Sequence, residues 1–260
     1  MTLFLLVALA GSSGTADYQR ANELFQQQQF VRAAEALDRA IKEDPNYVPA
    51  WTLRGKIAMA FNRFDIAREA FLKAARLDPA SAYAQFMLGF FYYVDNDFSK
   101  AVPALETAAR LDPSDSRPLL YLAMSQEGLA HPDLALELYE KTISLEAKTG
   151  KLNPETHTAY GRLLFTLGRL DESAKQVART LELDPNSRDG HYELGRLALE
   201  RGNAAEAAAE GEKALAPRRS GTTDRQIHFL LARAYAKMGK EDLAQWHRKQ
   251  FESSPMTLRR

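Results

Sequence analysis

Residues 83–113 of the chain read YAQFMLGFFYYVDNDFSKAVPALETAARLDP, and this stretch decides the fold. It contains two apolar segments with helical spacing, which are separated by a turn at Asn96 and closed by Pro113. The same frame occurs 34 residues earlier, where Gly55 occupies the place of Gly89. A period of 34 residues with two helical segments in each period indicates a stack of helical hairpins.

The frame extends along almost the whole chain and predicts seven repeats. They cover residues 14–47, 48–81, 82–115, 116–149, 154–187, 188–221 and 225–254. Because stacked repeats bury their apolar faces against their neighbours, we expect an all-α solenoid over residues 14–254. Residues 1–13 are predicted to be a signal-like or disordered segment, and residues 255–260 a frayed tail.

Two places in every repeat carry small side chains. The eighth and twentieth places hold Ala21, Gly55, Gly89, Ala123, Gly161, Gly195 and Ala232, and Ala33, Ala67, Ala101, Ala135, Ser173, Ala207 and Ala244. Where two helices cross closely, only a small residue lets the larger side chains beside it interlock. These places are therefore predicted to be the contacts between the two helices of each hairpin.

The fifteenth place marks the turn between the two helices of a repeat. It holds Gln28, Asn62, Asn96, Ala130, Gly168, Gly202 and Gly239, of which five are Gly or Asn. Gly and Asn accept the left-handed backbone conformation that follows many helix ends. The Asp-Pro pairs at positions 44–45, 78–79, 112–113 and 184–185 are predicted to end the second helices.

Four features interrupt the regular pattern. Extra residues occur around 149–153 and within 217–223, where we expect exposed loops. Pro103 predicts a kink or a late start in the second helix of repeat three. Gly211 replaces a bulky residue in repeat six, which predicts a weakly packed joint there.

Composition excludes several function classes. Lys plus Arg and Asp plus Glu are equal at 34 each, so the chain lacks the positive surplus of a general nucleic-acid binder. There is no cysteine, which excludes disulfides and thiolate chemistry. Glycine-rich phosphate loops, zinc-binding helices and nucleophile elbows are absent from the sequence. We expect no catalysis, no cofactor, no metal and no stable membrane insertion.

The N-terminus differs from the rest of the chain. Residues 3–10 are apolar and end in Ala8-Leu9-Ala10, a small-x-small sequence typical of a secretory cleavage site. No Lys or Arg precedes this run, so a mis-assigned start or a first half-helix is the alternative. A true signal would place the protein in the periplasm or outside the cell; otherwise the protein would be cytoplasmic.

One repeat shows a known motif in full. Its key residues are Trp51, Gly55, Ala67, Phe71, Ala74 and Pro79. This pattern resembles the tetratricopeptide repeat, and it recurs with losses from residue 17 to residue 251. The resemblance implies a right-handed superhelix of antiparallel helix pairs, with a concave groove lined by the first helices. It also implies binding of a protein or peptide rather than catalysis.

The resemblance places five positions of each first helix on the groove. The candidate groove residues are Tyr18, Asn22, Phe25, Lys56, Met59, Phe86, Phe90, Tyr93, Met124, Arg162, Phe165, Tyr192, Arg196, Phe229 and Arg233. They predict an aromatic patch at repeat three, and arginines with aromatic residues from repeat five onward. Because guanidinium groups bind carboxylates with two parallel hydrogen bonds, the hypothetical ligand is an acidic or C-terminal peptide segment.

Two alternatives stay open at this point. Some of the aromatic residues could pack between neighbouring first helices, with the arginines paired to Glu127, Asp189 and Glu200. The protein could also be a structural subunit of a cell-envelope complex that oligomerises through its convex face or its C-terminal end. The sequence leaves the oligomeric state and the partner open.

Three histidines share the fourth place of successive repeats: His157, His191 and His228. Neighbouring helices pack about 8–10 Å apart, whereas zinc needs its nitrogen ligands about 2 Å from one ion. The histidines are therefore predicted to pack in the seams between helices. Glu206 and Glu210 are interpreted as part of a solvated face.

Overall fold

A computed structural model describes residues 13–215 and 222–254 of the chain. Its regular secondary structure there is α-helical, with no strand in these two ranges. The helices are α1 (Ser13–Gln26), α2 (Phe30–Glu43), α3 (Val48–Ala60), α4 (Phe64–Leu77), α5 (Ala82–Val94), α6 (Phe98–Leu111), α7 (Arg117–Gly128), α8 (Pro132–Thr149), α9 (Pro154–Thr166), α10 (Leu170–Leu183), α11 (Arg188–Glu200), α12 (Ala204–Leu215), α13 (Asp224–Lys237) and α14 (Glu241–Ser253).

The helices follow one another as hairpins, an odd-numbered helix pairing with the even-numbered helix after it. This arrangement confirms the predicted fold class, an all-α repeat solenoid. Within the described residues the chain forms two compact units, the first made of residues 13–93 with 99–118 and the second of 94–98 with 119–215 and 222–254. Ala21, Leu37 and Leu53 belong to a core cluster of the first unit, and Leu199 and Ile227 to one of the second.

The small side chains at the eighth and twentieth places are buried in all seven hairpins, as the frame predicts. A Cβ atom added at Gly55 would lie 2.5 Å from the Phe71 ring, and one added at Gly89 would lie 2.6 Å from Leu105. The large residue of the second helix therefore fills the space that the missing side chain leaves.

All seven residues at the fifteenth place have positive φ angles, between 56° and 82°. The sequence predicted this conformation for the glycines and asparagines. Gln28 and Ala130 adopt it as well, with φ angles of 59° and 60°. At these two turns the packing of the hairpin imposes a conformation that an ordinary side chain disfavours.

The extra residues after repeat four lengthen a helix in addition to the predicted loop, because residues 150–153 are non-helical and Gly150, Lys151 and Leu152 are exposed. Helix α8 has 18 residues, whereas α6 and α10 have 14 each, so the insertion lengthens the helix by about one turn. Gly150 ends the helix in a left-handed conformation, with φ 70°. The added turn contains Glu146, which is completely buried.

Two further expectations concern local structure. Helix α6 begins at Phe98 and continues through Pro103, so the predicted late start is wrong, whereas the alternative, a kink, stays a prediction. Gly211 does not leave a weakly packed joint, because a Cβ atom there would lie 2.7 Å from Leu231 of the next repeat. The bulky residue that repeat six lacks is thus supplied by its neighbour.

The predicted N-terminal signal-like segment falls, except for Ser13, outside the described residues. The predicted tail at 255–260 and most of the insertion at 217–223 also lie outside them. Within the described ranges, no helix combines the length and apolarity needed to span a membrane.

Candidate functional site

The second compact unit contains a pocket of about 430 Å³ on its first helices. Helices α9, α11 and α13 are the first helices of the last three hairpins, and they pack side by side. Six of the predicted groove residues line the pocket together. They are Arg162, Phe165, Tyr192, Arg196, Phe229 and Arg233. The predicted ladder of arginines and aromatic residues therefore forms one concave surface.

Repetition of the frame explains why these side chains meet. The three arginines occupy the same place in successive hairpins, so parallel packing of α9, α11 and α13 brings them to one face. Phe165, Tyr192 and Phe229 lie three or four residues from an arginine on the same helix, which puts them on the same stripe.

Arg196 lines the pocket and contacts aromatic rings on two of its helices. Its guanidinium carbon lies 4.1 Å from the centre of the Phe165 ring and 5.8 Å from that of Tyr192. Its Nη1 donates a hydrogen bond of 2.6 Å to Oε2 of Glu193. Arg196 is thus held by a cation–π contact on its face and by a charge-assisted bond at its edge.

Glu193 is the buried member of this ion pair. Its side chain is only 6% exposed. Burial raises the pKa of Glu193 above its ordinary value, and the positive charges of Arg196 and Arg162 oppose this shift. The carboxylate holds Arg196 in place and is itself held by it, so Glu193 has little capacity left for a ligand.

Arg233 is exposed, whereas the other two arginines of the pocket are half-buried. Its guanidinium carbon lies 5.7 Å from the Phe229 ring, and both side chains are exposed to solvent. Among the residues that the structure describes, no carboxylate forms an ion pair with Arg233. Arg233 is therefore the pocket arginine best placed to receive an anionic group from a ligand.

The formal charges of the pocket balance. Three arginines face Asp189, Glu193 and Glu200. Asp189 accepts hydrogen bonds from the backbone nitrogen of Thr222, at 2.5 Å, and from its hydroxyl group. Two of the three carboxylates are thus occupied by the protein itself, and exposed Glu200 lies on the rim.

Several lining residues were not among the candidates. They include Thr158, Asp189, Glu193, Leu199, Gln226 and Leu230. Four of them occupy places of the repeat that the resemblance assigned to the groove, so the frame contained the signal that would find them: Thr158, Asp189, Leu199 and Gln226. Glu193 and Leu230 occupy the sixth place, outside that set.

The remaining candidates do not line this pocket. In the first unit, Phe86 is buried beneath Arg117, whose guanidinium carbon is 4.9 Å from the ring, and Phe90 lies 6.4 Å from Phe86. Tyr18 packs edge-on against Tyr47. Part of the predicted aromatic patch is therefore internal packing.

Other candidates have less distinctive surroundings. Lys56 lies 4.7 Å above the Tyr83 ring, and Asn22 is exposed. Phe25, Met59 and Tyr93 of the first unit are half-buried, as are Tyr18 and Phe90. Met124 of the second unit is buried, with 8% of its surface exposed.

The three histidines at the fourth place lie in helix seams, as predicted. Each hydrogen-bonds through Nδ1 to the residue 19 positions later, which stands on the second helix of the same hairpin. The pairs are His157–Gln176, His191–Glu210 and His228–His247. The interpretation of Glu210 as solvated was wrong, because this residue is 7% exposed and bonds to His191 at 2.6 Å. Residues 13–215 and 222–254 hold no group of three or more side chains that could bind a metal.

Comparison with known proteins identifies the family. The sequence profile of the tetratricopeptide repeat matches residues 18–82, 52–116, 120–188 and 158–222. The chain therefore belongs to the tetratricopeptide repeat family, whose members are typically non-catalytic scaffolds for protein interactions. A comparison with curated proteins found no match.

Solved structures with the same fold have low sequence identity. A tetratricopeptide repeat protein from Parabacteroides merdae is 17% identical, with a TM-score of 0.72 and 95% of each chain covered. PilF of Pseudomonas aeruginosa is 21% identical, with a TM-score of 0.64 over 80% of this chain and 93% of PilF. YrrB, described as having an unusual peptide-binding site, is 23% identical, with a TM-score of 0.53 over 83% of this chain and 99% of YrrB. Similarity at this level establishes the fold alone.

Proposed function

We propose that the protein is a non-catalytic scaffold that binds a peptide segment of a partner protein in the pocket of α9, α11 and α13. The ligand carries an acidic side chain or a free C-terminal carboxylate. The observation that carries this proposal is the convergence of Arg162, Arg196 and Arg233 with three aromatic side chains in one concave surface. Aromatic residues and arginine are the commonest anchors of protein interfaces.

The arrangement of charged and apolar side chains in the pocket favours a ligand that carries an anionic group next to an apolar one. Exposed Phe229 and half-buried Phe165 and Tyr192 supply apolar surface. Exposed Arg233 offers hydrogen-bond donors without an ion-pair partner in the described chain. Because the charges of the pocket balance overall, we expect selection of one well-placed carboxylate rather than of a long acidic run. A pocket of this size is within the usual range of ligand sites.

Isothermal titration with short synthetic peptides tests the proposal. The panel contains peptides with one Asp or Glu beside Leu or Phe, each made with a free and with an amidated C-terminus. We expect Arg233→Ala to lower the affinity for the tightest-binding peptide about tenfold, which is the effect of losing one charge-assisted contact. Loss of binding on amidation would assign the carboxylate to the C-terminus, and retention would assign it to the side chain.

The matched control is Arg179→Ala on the outer helix α10. Arg179 forms only a surface ion pair with Glu182, so this variant should bind the peptides like the wild type. If no acidic peptide binds the wild type better than its neutral counterpart, the proposal is wrong. Equal affinities of Arg233→Ala and Arg179→Ala for the best binder would also contradict it.

Helix α14 favours a second candidate function, assembly with other subunits. Leu243 and Trp246 on this helix are 43% and 52% exposed, and their spacing of three residues places them side by side on one helix face. Size-exclusion chromatography with light scattering distinguishes the two functions. A concentration-dependent oligomer that Trp246→Lys abolishes would favour assembly, and a monomer at micromolar concentration would favour the pocket.

A further inference from the structure

The last three hairpins repeat one contact between their two helices with three different partners, and the contact is fully buried only in the last of them. In each, Nδ1 of a histidine on the first helix meets a side chain on the second helix. The distances are 2.8 Å in the His157–Gln176 pair, 2.6 Å in His191–Glu210 and 2.9 Å in His228–His247. The geometry is the same, so the chemistry of the partner decides how each seam responds to a proton.

The three partners differ in what they can accept. A protonated imidazole donates from both of its nitrogens. The amide oxygen of Gln176 can accept from His157 in either state, and the carboxylate of Glu210 forms an ion pair with a protonated His191. The His228–His247 bond, in contrast, requires one neutral Nδ1 as its acceptor. Once both rings are protonated, two donors and two positive charges face each other.

The charges of Glu212, Asp224 and Arg188 around the His228–His247 pair sum to one negative charge, which is less than the two positive charges of a doubly protonated pair. His228 is 9% and His247 2% exposed. Glu212 of α12 lies 3.5 Å from Nε2 of His247 and already accepts a hydrogen bond of 3.0 Å from Tyr235 of α13. On the side of His228, the negative charge of Asp224 on α13 is opposed by the positive charge of Arg188 on α11.

We propose that the hairpin of α13 and α14 is a proton-sensitive element, which opens on acidification while the equivalent seams of the two preceding hairpins stay closed. The geometric basis is the short contact between two buried imidazoles at a seam where the preceding hairpins carry glutamine or glutamate. Among the described helices α14 packs against α13, and hairpins of a stacked-repeat protein can open as separate local units.

The sign of the effect follows from proton binding. Burial lowers the pKa of both His228 and His247 below the ordinary histidine value of 6.5. The unfolded hairpin therefore binds more protons than the folded one. The stability of the hairpin is fully present above pH 6.5 and is lost as the pH falls through the lowered values.

A functional consequence follows if the pocket binds its ligand as proposed above. Helix α13 carries His228 on one face and contributes Phe229 and Arg233 to the pocket. Opening the hairpin would displace these two side chains, so acidification would release the ligand. This consequence rests on the proposed function, whereas the opening of the hairpin does not.

Hydrogen exchange with mass spectrometry on the full chain tests the opening without any ligand. Exchange of α13 and α14 is compared with that of α9 and α10 at about pH 7.5 and pH 5.0, after correction for the intrinsic pH dependence of exchange. We expect protection of α13 and α14 to fall on the order of tenfold at the lower pH, with little change in α9 and α10. Equal changes in both hairpins, or no change in either, would overturn the proposal.

The chain itself suggests the matched variant. His247→Gln converts the last pair into the arrangement of His157 and Gln176, with its hydrogen bond but only one titrating ring. We expect this variant to keep its protection at the lower pH. His228→Gln provides the same test with the other ring if His247→Gln does not fold. A loss of protection in both variants equal to that of the wild type would show that the pair is not responsible.

Discussion

The guanidinium carbon of Arg196 lies 4.1 Å from the centre of the Phe165 ring, although the two residues belong to different hairpins. The contact joins α9 to α11 across the inner surface of the second unit. At the same time Glu193 fixes the edge of the guanidinium group at 2.6 Å. Arg196 therefore lines the pocket and also connects neighbouring repeats. Its removal should lower the stability of the protein as well as its affinity for a ligand.

Replacing Arg196 by methionine should destabilise the second unit at neutral pH. Methionine keeps much of the apolar stem but leaves the buried carboxylate of Glu193 without its partner, at a cost of about 1–3 kcal/mol. Because Arg196 lowers the pKa of Glu193 against the effect of burial, the variant should raise this pKa further. Urea unfolding monitored at several pH values measures the first effect, and NMR titration of Glu193 the second.

The pH dependence of this variant has a defined sign. A carboxyl group whose pKa is raised on folding binds its proton more readily in the folded state, so a falling pH stabilises the fold. The loss of unfolding free energy caused by Arg196→Met should thus be largest above the raised pKa of Glu193, and it should become smaller as the pH falls through that value. A loss of stability that does not depend on pH would mean that the broken ion pair is not its cause. Arg179→Met, on an exposed pair, is the control.

The glycines at the eighth place should differ in their tolerance of alanine. At Gly55 the new methyl group would meet the fully buried Phe71 ring at 2.5 Å, which we expect to destabilise the protein by about 1–3 kcal/mol. At Gly161 the nearest atom is a methyl carbon of Val177 at 3.1 Å. There the higher helix propensity of alanine, worth about 1 kcal/mol, should offset most of the unfavourable energy of the close contact.

Urea unfolding of the two glycine variants measures this difference. The reverse order of stability, or equal effects at Gly55 and Gly161, would contradict the assignment of Gly55 to a close crossing of helices.

Ala130 occupies a left-handed turn position that glycine adopts without strain. Its φ angle is 60°, and an L-residue in this region costs about 1–2 kcal/mol. Ala130→Gly should therefore stabilise the protein by about 0.5–1 kcal/mol, after the greater freedom of glycine in the unfolded chain is subtracted. Thermal and urea unfolding provide the measurement. The converse variant Gly168→Ala, with open space around its Cβ position, should destabilise by a similar amount through backbone strain alone.

Among the residues of the extra turn of α8, Glu146 should be the one whose substitution destabilises the protein most. Its Oε1 accepts a hydrogen bond of 2.7 Å from the hydroxyl group of Thr156, and its Oε2 accepts one of 3.3 Å from the backbone nitrogen of Asn153. Glu146→Ala would leave these buried donors without an acceptor and open a cavity, with an expected loss of about 2–4 kcal/mol.

Glu137→Ala, on the exposed surface of the same helix, is the control for Glu146→Ala and should remain within about 0.5 kcal/mol of the wild type. Urea unfolding compares the two variants. A small effect at Glu146 would show that α8 ends stably without its buried carboxylate.

Much of the fold could be predicted because each rule concerns a residue and its neighbours in sequence. Small residues recur at the helix crossings, and Gly or Asn at most of the turns, with a period that is visible without coordinates. The alanine and glutamine turns show the limit of this reasoning. Ala130 has no local preference for a positive φ angle, so its conformation follows from the packing of α7 against α8.

Part of the candidate site could be predicted for the same reason. The recurring ninth place indicated that Arg162, Arg196 and Arg233 share one surface, and the structure brings them into one pocket. The sequence did not indicate that Glu193 would hold Arg196, nor that Phe86 would be buried under Arg117. Such pairings depend on rotamers and on the distance between helices, and the residue type at a repeat position specifies neither.

The sequence by itself determined the repeat, the all-α fold and the family, because the spacing of small and turn residues dictates where helices cross and end. Only the tertiary structure decided that the insertion after repeat four extends a helix, that Leu231 fills the space beside Gly211, and which charges near the pocket are already paired. These outcomes depend on contacts between neighbouring hairpins, where a side chain responds to the space and charge that the next repeat supplies.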